Sequence, residues 1–291
     1  MKIRFLLSAL FALAASTLFS ADIPAVEAGA KNGDAGAQFE LARVYLRGGE
    51  GIQKDPMRAF ELMISAANQD HAEAMGGVGY FYANGIAVSK DEAKAVEWFR
   101  RGAEKGGQKS QLNLGRMLAE GKRSKENVEE GLKWIKAAAD AGQPDAAYAM
   151  GSILYFGKYG RSADVTAAWP YLLQAAESGN PDAQNTVGLM LENGQGVTMD
   201  VARAEEWYRK SAKQGNVKAQ SSLGRLLGPE VQNRERRVEA LTWLLVASRS
   251  GEITAQRLLE ELHGGLNSDD MAQAQKLAGD VETSLRATPL K

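Results

Sequence analysis

Small residues recur inside matching apolar patterns at Ala42, Gly79, Gly115, Gly151, Gly188 and Gly224, at intervals of 37, 36, 36, 37 and 36 residues. A second series keeps step with the first at Ala59, Ala95, Gly131, Ala168, Ala204 and Ala240. Three residues after each of these stands a large apolar side chain: Leu62, Trp98, Trp134, Tyr171, Trp207 and Trp243. A third series closes each unit at Asp70, Gly106, Gly142, Gly179, Gly215 and Gly251. Three series in register over six copies are the signature of a repeat architecture, in which each unit buries its apolar face only by stacking on a neighbour.

Within a unit the apolar spacing is helical, as in Phe39, Leu41, Ala42, Tyr45 and Leu46. Turn signals break each of the first five units in the middle, at Gly48-Gly49-Glu50-Gly51, Asn84-Gly85, Glu120-Gly121, Phe156-Gly157 and Asn193-Gly194-Gln195-Gly196. Each repeat therefore reads as two helices and a loop. Asp55, Asp91, Asn127, Asp164 and Asp200 precede the second helices at matching places, where a side-chain oxygen can accept from unpaired first-turn amides. Pro56 suits a first helical position, and Asn127 with Glu130 has capping-box spacing.

The small residues let the two helices of a unit approach closely, and the aromatics that follow the second series fill the space between units as core. After Gly251 the pattern predicts a helix at 253–262 and a second near 269–285, startable at Asn267 or Ser268. The fold class is thus all-α: an α/α superhelical solenoid of about six helix-turn-helix repeats of 36–37 residues with a C-terminal helical cap. The expected units are 34–70, 71–106, 107–142, 143–179, 180–215 and 216–251, within a repeat region at 28–252, with capping helices and tail at 252–291.

The run from Ala183 through Gly188, Asn193-Gly194-Gln195-Gly196-Val197, Asp200, Ala204-Glu205-Glu206-Trp207-Tyr208 and Gln214-Gly215-Asn216 resembles a full Sel-one-like repeat (SLR), a relative of the tetratricopeptide solenoids. Residues 79–106 match nearly as well, and the other units are more degenerate. Ala42, Leu62 and Glu230 depart from the family pattern, mainly in the terminal units, and Lys122-Arg123-Ser124-Lys125 replaces the usual loop of the third.

The amino terminus changes the picture of where such a solenoid works. Lys2 and Arg4 precede an apolar run from Phe5 to Leu18 and small residues at Ser20 and Ala21, which reads as a signal peptide at 1–21. Cleavage after Ala21 leaves an exported chain, periplasmic or secreted, although Phe19 is large for its place. The mature chain has no span long enough to be an integral membrane segment. Removing 1–21 leaves 33 basic against 36 acidic residues, a net −3, which offers no general attraction to nucleic acid.

Chemistry is hard to place. There is no cysteine, so no disulfide, thiolate nucleophile or thiolate metal site is expected. His71 and His263 lie far apart in sequence without ligand-spaced partners and read as surface residues, so no metal is expected. No Ser lies three residues before a Lys, and neither Lys-Thr-Gly nor Gly-x-Ser-x-Gly occurs. The glycine clusters lie in turns after helices, not between strand and helix, so they build no phosphate cradle and no cofactor is expected. Arg234-Glu235-Arg236-Arg237 reads as a solvated run. The chain reads as a binding protein and not an enzyme.

The resemblance implies binding along a concave face lined by the first helix of each unit. The residue after each small marker varies while the packing positions stay fixed: Arg43, Tyr80, Arg116, Ser152, Leu189 and Arg225. Arginine and tyrosine are favoured at interface hot spots, and guanidinium forks suit carboxylates. The expected partner is a protein or peptide, of the cell envelope. The other reading is a protein that binds or hydrolyses a cell-wall fragment or β-lactam, which some cysteine-rich members of the family are linked to.

Overall fold

The computed structural model describes residues 23–48, 51–121, 124–228, 233–262 and 268–287. The expected signal peptide at 1–21, Lys122-Arg123, Glu230, His263 and Asn267 lie outside the described residues. Fifteen α-helices are found among those described, and the chain divides at Ala146 and Ala147 into two compact units.

The amino-terminal unit holds α1 (Ile23–Lys31), α2 (Ala35–Arg47), α3 (Pro56–Ala67), α4 (Ala72–Asn84), α5 (Glu92–Glu104), α6 (Gln108–Glu120) and α7 (Lys125–Asp140). Helices pair in sequence: α2 with α3, α4 with α5, α6 with α7. The short α1 packs on α2, and nothing in the repeat pattern pointed to it. The division falls inside α8 (Pro144–Phe156).

The carboxy-terminal unit holds the rest of α8 with α9 (Val165–Glu177), α10 (Pro181–Asn193), α11 (Val201–Lys213), α12 (Val217–Leu227), α13 (Arg234–Arg249), α14 (Ile253–Leu262) and α15 (Ser268–Ala287). Here α10 pairs with α11 and α12 with α13, and both α14 and α15 pack against α13.

The small markers are small because a side chain follows them at very short range. An added Cβ would meet Phe99 at 2.7 Å from Gly79, Ile135 at 2.6 Å from Gly115, and Leu172 at 2.7 Å from Gly151. From Gly188 it would meet Tyr208 at 2.8 Å and from Gly224 it would meet Leu244 at 2.6 Å. The partner is thus the residue after each aromatic of the second-helix series. Of the aromatics, Trp207 and Trp243 are buried, while Trp98 packs partly buried on the cluster around Ala42, Met63 and Phe81, and Trp134 on that around Ala95 and Phe99. Cations lie over two of the rings, Arg101 at 4.0 Å from that of Trp98 and Lys210 at 4.1 Å from that of Trp207.

The third series has one backbone reason. Gly106, Gly142, Gly179, Gly215 and Gly251 all have φ between 85° and 94°, and Asp70 takes φ 64° at the same place. Glycine is at ease there, whereas Asp is among the few other residue types that enter the left-handed region.

Asp55, Asp91, Asp164 and Asp200 cap the second helices, accepting from amides two or three residues on. Asn127 does not. Ser124 caps α7 by accepting from the Asn127 amide at 3.2 Å, so Asn127 lies inside the helix. Glu130, expected to complete a box with Asn127, instead takes Arg100 and the Trp134 indole. His71, expected at the surface, is half-buried: it caps α4, its Nδ1 accepting from the Ala74 amide, and stacks on Phe39.

Candidate functional site

A pocket of about 490 Å³ opens in the amino-terminal unit where α2, α4 and the start of α6 meet. Phe39 and Arg43 reach it from α2, Glu73 and Tyr80 from α4, and Lys109, Ser110 and Asn113 from α6. Its remaining wall is largely glycine: Gly76 and Gly77 inside α4, Gly106 and Gly107 in the turn before α6. Two adjacent glycines in a helix interior cost helix stability of about 1 kcal/mol each relative to alanine. Close packing explains them, since a Cβ on Gly76 would meet Ser110 Oγ at 2.6 Å and one on Gly77 would meet Met63 Sδ at 2.5 Å.

Two cations, Arg43 and Lys109, and one carboxylate, Glu73, line the pocket. Arg43 makes a two-oxygen contact with Glu40 at 2.9 Å and lies over the Phe39 ring. Burial pushes the Lys109 ammonium below its ordinary pKa, and the positive charge of Arg43 lowers it further, against the opposing pull of Asp145 and Glu73. Burial also raises the Tyr80 phenol, which stays neutral at physiological pH. Asn113 is 3% exposed, and neither its Nδ2 nor its Oδ1 has a hydrogen-bond partner.

Of the six residues expected to face a partner, the structure brings Arg43 and Tyr80 together in this pocket. Arg116 is half-buried on α6 and Leu189 half-buried on α10, and neither lines the pocket. Ser152 is buried at 6% exposure. Arg225 is exposed and grips both oxygens of Glu192 at 2.7 Å, where Glu192 also accepts from the Tyr208 hydroxyl. Sequence reasoning missed Lys109 and Asn113. The Gly76-Gly77 doublet was the available signal, because paired glycines in a helix mark a close approach, here of Ser110 from α6 and Met63 from α3.

Five consecutive stretches, 35–71, 72–107, 108–143, 144–180 and 181–216, match the Sel1 repeat, more than half of the chain. The chain belongs to the Sel1 repeat family. Members of this family are generally protein–protein interaction scaffolds and mainly non-enzymatic. Residues 217–291 lie outside the five matches, yet α12 and α13 keep the same Gly224–Leu244 approach as the matched pairs.

Among solved structures the chain is similar to a protective antigen of uropathogenic Escherichia coli strains displaying an SLR fold. The identity is 26% with a TM-score of 0.77, over 91% of this chain. This chain spans 58% of that protein's length. It is also similar to a Sel1 repeat protein from Oxalobacter formigenes, at 26% identity and a TM-score of 0.65, over 79% of this chain and all of the other. No curated protein matches the chain. Among the described residues no helix is long and apolar enough to cross a membrane, and no cluster of His, Asp and Glu could hold a metal ion.

Proposed function

We propose that this Sel1 repeat chain is an exported scaffold, periplasmic or secreted, which holds a protein or peptide of the cell envelope on the face formed by its first helices. The observation that carries the reading is the pocket between α2, α4 and α6. It joins Arg43 and Tyr80, two residue types favoured at hot spots, in one concavity with an aromatic wall at Phe39. Arg116, on the same helix as Lys109 and Asn113, extends the basic character of α6. The amino-terminal pattern of Lys2, Arg4 and the following apolar run supports export. The repeat region at 28–252, the sixth unit at 216–251 and a cap beyond it are part of the same reading.

The test compares two forms of the protein in affinity capture from the envelope of its own organism. Arg43→Glu with Arg116→Glu should leave the helical circular-dichroism signal intact and abolish recovery of the wild-type partner. An unchanged set of captured proteins would sink the first-helix face as the docking surface.

A further inference from the structure

We propose that the pocket between α2, α4 and α6 reads an acidic residue of an extended partner segment, its carboxylate at the start of α6 beside Lys109 and its main-chain amide on Asn113. This rests on the docking reading above and adds the chemistry of what is docked.

Three observations converge on that ligand. The first is Asn113. Buried polar groups are nearly always paired, because an unmade hydrogen bond in a shielded place costs free energy. Both ends of this carboxamide lack a partner, and they lie on a residue lining a pocket. A carboxamide offers one donor and one acceptor side by side, the complement of the C=O and N–H of a peptide main chain.

The second is the start of α6. Gly107 takes the cap position and has no side chain to serve the first turn, whereas Asp34, His71, Asn180 and Asn216 each supply a capping atom to α2, α4, α10 and α12. A helix N-terminus attracts an anion through its amides and its dipole, and this one borders the pocket. The third is the pair of cations. Arg43 and Lys109 are near enough for one to oppose the charge of the other, so a carboxylate beside Lys109 adds to the favourable pull of Glu73 and Asp145 on that ammonium.

Lys109 and Asn113 are four residues apart on one helix, hence one turn apart on the same face. That separation, roughly 6 Å along the axis, suits a side-chain carboxylate and the backbone of the same short segment. Phe39 and Tyr80 are left for the apolar part of its neighbours.

The experiment titrates the full chain with acetyl-Ala-Glu-Leu-methylamide and, separately, with its glutamine analogue, followed by calorimetry and by amide chemical shifts. Saturable binding of the glutamyl peptide is expected, with shifts at 108–113 and binding of the glutaminyl peptide at least about tenfold weaker. Asn113→Leu should weaken the glutamyl peptide about tenfold while leaving the melting temperature equal or higher, since it removes an unpaired buried group. Lys109→Gln should narrow the gap between the two peptides without changing the helical signal.

No saturation, equal binding of the two peptides, or full binding by Asn113→Leu overturns the proposal. So does binding of cell-wall stem peptides in place of the glutamyl peptide. If the peptides fail but capture of an envelope partner is still lost in the Arg43→Glu, Arg116→Glu protein, this inference falls and the docking face stands.

Discussion

Gln214 donates its side-chain amide to Oε1 of Gln184 at 2.7 Å, and Gln184 in turn donates to the Ala176 carbonyl at 3.1 Å. The pair links the turn after α11 to the start of α10 and to the end of α9. Gln69, Gln38 and Ala30 repeat the arrangement at the other end of the chain. Gln111 and Gln220 make the same donation, to Ala103 and Ala212, but their Oε1 atoms have no partner. All four glutamines stand four residues before a small marker, so this ladder is written in the sequence beside the glycine series.

Ala141 occupies, thirty residues after Gln111, the place that Gln214 occupies relative to Gln184. Its backbone closes α7 with φ −78° and ψ 2°, close to the φ −91° and ψ 6° of Gln214. Ala141→Gln should therefore satisfy the Gln111 oxygen and stabilise the protein by about 1 kcal/mol. Urea denaturation checks this: the midpoint should rise in Ala141→Gln and not in Ala141→Gln combined with Gln111→Leu.

Glycines of equal helical setting should respond to alanine in opposite directions. Gly188→Ala places a Cβ 2.8 Å from the Tyr208 ring, inside a closely packed pair of helices, and should cost about 1–3 kcal/mol. Gly279, inside α15, has nothing within 4 Å of the same added atom. Gly279→Ala should stabilise by about 0.5–1 kcal/mol through helix propensity alone. Thermal melts of the two proteins with the wild type decide it, and equal shifts would contradict the close-approach account of the markers.

Much of the fold is legible because its periodic constraints are local and repeat. A glycine at five of the six unit ends reports a positive φ, and an Asp before α3, α5, α9 and α11 reports unpaired amides. One reading misses for a plain physical reason. Asn127 has the residue type and spacing of a cap, but Ser124 lies earlier, takes the amide of Asn127 and starts the helix first. The pocket is harder to see, because Phe39, Tyr80 and Asn113 come from three different repeats and meet only through tertiary packing. The row Arg43, Tyr80, Arg116, Ser152, Leu189 and Arg225 assumes that one register means one environment. Instead Ser152 is buried and Arg225 is held by Glu192, since neighbours differ from unit to unit.

The start of α7 gives a direct contrast between the two capping candidates. Ser124→Ala removes the acceptor for the Asn127 amide and should cost about 1 kcal/mol, the same order as Asp200→Ala at α11. Asn127→Ala keeps that acceptor and should cost clearly less. Chemical denaturation of the three variants would settle which residue caps α7, and a larger loss in Asn127→Ala would restore the capping-box reading.

Asp270 fastens the last helix by its charge, so acid should loosen that helix before the repeats. Its carboxylate lies at 2.6 Å from Arg234 Nε and 2.6 Å from Arg237 Nη2, in the first turn of α15 where the helix dipole also favours an anion. The Arg237 contact, then that of Arg234, holds the Asp270 carboxyl below the usual carboxylate range. A lowered folded pKa means that the unfolded chain binds more protons as pH falls below the usual value of about 4. The stabilisation is thus complete at neutral pH and is lost as pH falls through the lowered value. Hydrogen exchange of amides in 268–287 should accelerate between about pH 4 and pH 2 relative to those of α10, after correction for the intrinsic rate. Asp270→Asn should raise exchange in α15 at neutral pH, because the two guanidinium groups lose their anion, and should flatten the acid dependence. An acid profile unchanged by that substitution would assign the loosening to other carboxylates, such as Glu282 on Arg249.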